Sequence, residues 1–325
     1  MTARKSKSPE TTPGRWPHRL AWVLACAVFM LICMGSLVAT FEAGMAVPDW
    51  PTTYGHWFYP PQKWLFRLND LFLANGHRTA AQVVGLLCIA TAVVLWRADP
   101  RKWIRWLAVA AVLGVLLQGT LGGLRVIFDE RLLARVHGCT APLFFALCAA
   151  LVALTSPAWR NAGEARGHAG AATLQRATII MTSCIYLLIV LGAQLRHPLK
   201  GATHGWFPLW VCLALILVGL VMAGVAWLTV LVTRRFPGEK MIVRRASTLA
   251  VLLSLQLVLG IATWVTNFGW PAWFTNYVWA IQYTVVAEGR LQVWATTAHT
   301  AVGSLNLAVS LSLSLWSLRL LKRKT

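Results

Sequence analysis

The sequence predicts an all-α integral membrane protein whose eight transmembrane helices form two pseudo-symmetric four-helix bundles. Three observations carry that expectation. Apolar residues make up 58% of the 325-residue chain and charged residues 12%, with a mean hydropathy of +0.61. Eight apolar runs are long enough to cross roughly 30 Å of hydrocarbon, which takes about 20 helical residues. The basic residues behind the net charge of +20 gather in alternate connections and at the two ends.

The runs lie at about 20–40, 71–96, 106–125, 132–155, 177–195, 206–232, 246–267 and 293–318. The first is too long for a secretory signal and no small-residue cleavage site follows it, so it reads as a retained span. Arg4, Lys5, Lys7, Arg15 and Arg19 precede it. Arg97, Arg101, Lys102 and Arg105 follow the second run; Arg160, Arg166 and Arg176 follow the fourth. Arg234, Arg235, Lys240, Arg244 and Arg245 follow the sixth, and Arg319, Lys322, Arg323 and Lys324 close the chain. This is the positive-inside pattern, and it sets both termini in the cytoplasm of a cell whose inner membrane the chain spans. It also removes the nucleic-acid reading that a charge of +20 invites, because the charge lines one membrane face and forms no continuous patch. The remaining connections, at about 41–70 and 268–292, are rich in Trp, Tyr and Phe, as suits segments at the outer interface.

The expected organisation is a basic tail at 1–19, an N-terminal half at 20–155, a cytoplasmic linker at 156–176, a C-terminal half at 177–318 and a basic tail at 319–325. A repeat supports the division. "QGTLGGLRV" from Gln118 in the third span matches "QLVLGIATW" from Gln256 in the seventh, each a Gln with a Gly four residues on. "MGSLVATFEAG" from Met34 matches "LGAQLRHPLKG" from Leu191 at the exits of the first and fifth spans. Four spans per half keep the two halves in the same orientation, a parallel repeat. The seven cysteines all fall within spans, and no Cys-x-x-Cys-His or zinc spacing occurs.

The chemistry lies in the histidines. His18 and His168 fall in basic segments and His56, His197 and His204 in outer connections, while His77, His137 and His299 lie inside the second, fourth and eighth spans. Each of these three sits about six residues from the outer helix end, roughly 9 Å at 1.5 Å per residue. Ionisable groups in a span face the bundle interior or a polar cavity. Taken singly, each imidazole would serve as an interhelical hydrogen bond. Three at one depth suit axial ligation of a heme between facing helices. Arg78, Arg125 and Arg196 lie near the same boundary, where propionates would emerge; snorkelling to the interface is their ordinary alternative.

The residues then carry a resemblance. "FEAGMAVPDWPTTYGHWFYP" at 41–60, "NGHRTAAQVVGLL" at 75–87, "QGTLGGLRV" at 118–126, His137, "LGAQLRHP" at 191–198 and "AHTAVGSLNLA" at 298–308 resemble the heme A synthase family. That resemblance implies an eight-helix enzyme in two four-helix halves that oxidises the C8 methyl of heme O to the formyl of heme A for cytochrome oxidase. It implies that His77 and His137 flank the substrate heme, while His299 belongs to a heme b site. It further implies heme O synthase as the source of substrate, cytochrome oxidase assembly as the destination, and a homo-oligomer as one arrangement in the lipid bilayer.

Two departures stand out. The family sets a Glu three residues before the second-span histidine, where this chain has Ala74. A carboxylate there would take up a proton or stabilise developing positive charge; Glu42 and Asp49 are the other acids in reach, with loop-fixing as their ordinary role. The family's sixth-span histidine is replaced at equal depth by Cys212, a thiolate ligand or an inert small hydrophobe. His204 is a second option for that ligand, and a five-coordinate iron or no C-terminal heme a third. Besides the synthase, a heme-binding relative without catalysis and a membrane protein with purely structural histidines both fit the sequence.

Overall fold

Two rings of four helices stand side by side in the computed structural model, which describes residues 15–56, 70–196, 206–271, 274 and 284–324. The first ring is α1 (Trp16–Thr40), α2 (Asp70–Ala98), α3 (Lys102–Phe128) and α4 (Arg131–Thr155). A short α5 (Pro157–Arg160) and strand β1 (Arg166–His168) lead to the second ring: α6 (Ala171–Arg196), α7 (Trp206–Arg235), α8 (Lys240–Phe268) and α9 (Arg290–Leu320). Strand β2 (Leu321–Arg323) pairs in parallel with β1. All eight long helices are apolar and long enough to cross a membrane, so the chain is a multi-pass membrane protein.

Each helix outlasts its apolar run. The chain is already helical at Lys102 and Ala171, ahead of the runs that open at about 106 and 177, and α9 covers Arg290–Leu320. A backbone leaving lipid gains nothing by breaking its hydrogen bonds at the interface, and long basic side chains there reach outward to water. Ends are set locally. Pro17 opens α1, where its missing N–H costs nothing; Gly269, at φ 86°, closes α8 with its N–H on the Val265 carbonyl. Ser156 caps α5 by accepting the Trp159 N–H at 3.1 Å.

Within each ring every helix packs on its sequence neighbours and the last returns to the first, α4 on α1 and α9 on α6. The rings meet where α4 lies on α9, with α1 also on α9 and α4 also on α6. Burial follows: 61% of the span in α4 and 56% of that in α9 is buried, against 33% or less in the other six. One core holds Leu24, Val28, Leu95, Ile104, Phe145 and Leu151; the other holds Leu174, Leu228, Ile242, Leu249, Leu313 and Trp316. Lipid is as apolar as leucine, so close fit and polar contacts hold such helices together. Thr182 accordingly meets Ser310 at 2.8 Å and Ser314 at 3.1 Å between α6 and α9.

The basic end is knitted by one buried acid. Asp99, fully buried, pairs with Arg101 at 2.7 Å, with Arg160 3.8 Å away. Burial pushes its carboxyl up, but hydrogen bonds from Arg101 and the charges of Arg101 and Arg160 outweigh this and hold it below its ordinary value. Arg101 also donates to the Leu154 carbonyl at 3.0 Å, fixing the α2–α3 turn to the end of α4. The histidine-bearing ends of the helices lie at the opposite face.

Candidate functional site

In the first ring, histidine and glycine face each other across neighbouring helices. His77 on α2 points at Gly35 of α1, where a Cβ would stand 3.1 Å from the ring's Cε1. His137 on α4 points at Gly122 of α3, with the corresponding distance 3.3 Å. Each glycine leaves the room an imidazole takes up. The charge of Arg125 acts on both imidazoles. Nδ1 of His77 and Nδ1 of His137 are both buried with no hydrogen-bond partner. A buried polar atom without a partner costs about 1–3 kcal/mol and asks for a ligand or an explanation.

The outer loop is drawn down over this site by Arg78. Its NH1 donates to the carbonyls of Asp49 at 2.7 Å and Thr52 at 3.0 Å, and its NH2 to that of Val47 at 2.9 Å. The expected propionate partner thus meets three loop carbonyls that already take those groups. Trp50 lies on Gly123 and Arg125 beneath Gly44, each so near that a Cβ at the glycine would collide. Asp49 organises the loop from within, accepting from the Thr52 hydroxyl at 2.5 Å, Tyr54 N at 2.8 Å and Gly55 N at 3.0 Å. Burial alone would raise its carboxyl, but those three donors prevail and hold it at about 2. Asp49 is therefore committed to the loop and Glu42 is exposed at the start of a 3-10 turn, while Ala74 is 4% exposed against the bundle. Arg125 has Asp129 as an opposite charge acting on it and no hydrogen-bond partner among the described residues.

The second ring repeats half of this arrangement. His299 on α9 points at Gly260 of α8, with 3.2 Å from an added Cβ to Cε1. Gln256 on α8 sets its amide nitrogen 3.1 Å from Nδ1 and 3.3 Å from Nε2 of that ring. By the sequence repeat the counterpart of Gly35 is Gly192, and none of the described residues lies within 4 Å of where its Cβ would be. Cys212 is exposed on α7. His204, like His197, lies outside the described residues. Arg196 joins the rings: NH1 donates to the hydroxyls of Ser36 at 3.2 Å and Thr300 at 3.1 Å, and NH2 to the Ser36 carbonyl and the Thr40 hydroxyl, both at 3.0 Å. Ser36 follows Gly35 in the chain and Thr300 follows His299, so this one guanidinium sits between the two histidine sites.

The residues of the first ring fit a heme: two imidazoles from separate helices, two buried unpartnered nitrogens, glycines beside the rings and, in Arg125, a guanidinium with no hydrogen-bond partner among the described residues. The second ring offers one imidazole, and no second ligand among the described residues faces it. Sequence reasoning passed over Gly35, Gln118, Thr140, Gln256 and Ser36. The Gln-to-Gly spacing of the repeat was the available signal, since it puts one glutamine a helical turn from each facing glycine.

Residues 69–211 match the family described as cytochrome oxidase assembly protein, a stretch that holds His77 and His137. The chain is 26% identical over 198 residues to the heme A synthase of Shouchella clausii, covering 59% of this chain and 62% of that one. It is 25% identical over 265 residues to the heme A synthase of Bacillus licheniformis, covering 75% and 84%. A shorter stretch of 81 residues is 32% identical to a protoheme IX farnesyltransferase of Halobacterium salinarum, 25% of this chain but 16% of that protein. The chain thus spans less than two thirds of the length of the first of these relatives. With its motifs set on eight packed helices, the chain is similar to the heme A synthases, and its residues 69–211 match the family of cytochrome oxidase assembly proteins.

Proposed function

We propose that the protein oxidises the C8 methyl of heme O to the formyl group of heme A, in the first ring. The observation that carries this reading is that His77 and His137, on different helices of one ring, both have their Nδ1 atoms buried and unpartnered. In this account the two imidazoles hold the iron of heme O from opposite sides, and Arg125 pairs with a propionate. Arg78 keeps the outer loop closed over the site, excluding water through Trp50 and the loop backbone. Turning the methyl into a formyl removes four electrons, which an external oxidant would have to accept; the chain's residues hold and orient the heme. His299 would hold a heme b in the second ring, with Cys212, His204 or no residue as its companion ligand, and Arg196 would set the spacing of the two sites. Heme O reaches the site from heme O synthase within the bilayer, and heme A leaves for cytochrome oxidase assembly. The basic ends of the helices face the cytoplasm across the inner membrane, with both termini there.

A second reading has an observation of its own. Ala74 is buried where the family carries a carboxylate, and Asp49 is bound into the loop, which favours a heme carrier or assembly factor that no longer oxidises. One experiment separates the two. The protein is expressed with a heme O source and its pigments are extracted: heme A or its hydroxylated precursor supports the synthase, and unchanged heme O bound to the protein supports the carrier.

A further inference from the structure

We propose that Gln256 is a positioning residue that orients His299 toward iron, and that a single exchange, Thr140 against Val302, makes the two rings hold their imidazoles differently. The proposal rests on the reading of His299 as a heme ligand. The repeat aligns Gln118, Gly122, His137 and Thr140 with Gln256, Gly260, His299 and Val302. The glutamine side chains, however, part company.

In the first ring Gln118 donates its amide to the Thr140 hydroxyl at 2.5 Å, and that hydroxyl donates onward to the Val136 carbonyl at 2.7 Å. Gln118 is held away, and Nδ1 of His137 is left buried with no partner. In the second ring the equivalent position is Val302, which has no oxygen to draw a glutamine. Gln256 instead lies on His299, its amide nitrogen nearest Nδ1 at 3.1 Å with Nε2 at 3.3 Å, and Gly303 leaves it space, since a Cβ there would stand 3.3 Å from that nitrogen. The Gln256 Oε1 is itself buried without a partner. A half-turn of the amide exchanges its nitrogen and oxygen, places that oxygen against Nδ1–H, and satisfies both atoms at once.

A neutral imidazole has one N–H and one lone pair. When Nε2 binds a metal, an acceptor on Nδ1–H fixes the tautomer and the ring plane and raises the basicity of the ligand. A more basic ligand favours ferric over ferrous iron. Gln256 therefore lowers the midpoint of a heme held by His299, and the unpartnered Nδ1 of His137 leaves the first ring without that effect.

Two reciprocal substitutions in the full-length, heme-loaded protein test this. Val302→Thr gives Gln256 the hydroxyl that holds Gln118, and Thr140→Val releases Gln118 toward His137. Both keep side-chain volume, so a folding failure in one leaves the other readable. Midpoints come from a spectroelectrochemical titration, with His299→Ala identifying the component of the second ring. Val302→Thr is expected to raise the midpoint of the His299-dependent component and to cut its heme affinity by roughly 10-fold. Thr140→Val is expected to lower the midpoint of the other component. Midpoints unmoved in both variants, shifts of opposite sign, or tighter heme binding in Val302→Thr overturn the proposal, as does wild-type protein whose heme is indifferent to His299→Ala. Each of those results leaves a heme in the first ring intact, whereas protein without any heme sinks the proposed function as well.

Discussion

Replacing Arg78 with Met keeps the side-chain stem and removes the three hydrogen bonds to the Val47, Asp49 and Thr52 carbonyls. Bonds from a charged donor are worth about 1.5–3 kcal/mol each, but these acceptors stand at an interface where water replaces part of the loss. Counting one to two bonds' worth gives a penalty of about 2–4 kcal/mol on the closed loop, or roughly 30- to 700-fold more frequent opening. The two other contacts between the loop and α3, Trp50 on Gly123 and Gly44 on Arg125, remain in the variant and keep the loss local. Hydrogen exchange followed by peptide mass analysis reads it directly, because Tyr54 N and Gly55 N are held by Asp49 inside this loop. Their exchange is expected to accelerate within that range while amides in the middle of α2 keep their rates. Unchanged loop exchange would refute the assignment of Arg78 as the residue that closes the loop.

Gly35→Ala and Gly122→Ala put a methyl 3.1 and 3.3 Å from an imidazole carbon, whereas Gly192→Ala meets none of the described residues within 4 Å; heme retention on dilution should fall in the first two and hold in the third. Arg196→Met leaves Ser36 and Thr300 still bonded to each other at 3.3 Å and Thr40 to the Ser36 carbonyl at 2.9 Å. Its cost should therefore stay near about 2 kcal/mol, read as a lowered thermal midpoint in detergent, and a midpoint equal to the parent's would contradict the role given to it. The Asp49 carboxyl, held at about 2 against an ordinary 3.8, stabilises the loop when ionised. That contribution should be complete above about pH 4 and fade as the pH falls toward 2, so loop exchange corrected for intrinsic rates should be flat from neutral pH to about 4 and rise below it; Asp49→Asn should abolish the dependence.

The membrane spans were legible because lipid demands an unbroken apolar run, and the polar exceptions inside such runs mark what is special. His77, His137 and His299 could be ranked by depth for that reason. Depth carries no rotation about the helix axis, which is why Cys212 matched the histidine layer in the count yet lies exposed on α7. The partners of Arg78 and Arg196 were equally out of reach, since backbone carbonyls and ordinary hydroxyls leave no pattern in a sequence. Helix ends ran past the apolar runs because a helix persists into the interface wherever Lys or Arg can reach water, as at Lys102 and Arg290. The repeat announced Gln118 and Gln256, but only packing reveals that one bonds a threonine and the other a histidine.

The central claim is that His77 and His137 together grip one heme iron, and low-temperature electron paramagnetic resonance of the oxidised, heme-loaded protein tests it most directly. A low-spin ferric signal from two imidazoles is predicted, lost in His77→Ala and in His137→Ala and retained in His299→Ala. A spectrum that neither His77→Ala nor His137→Ala alters would contradict the account.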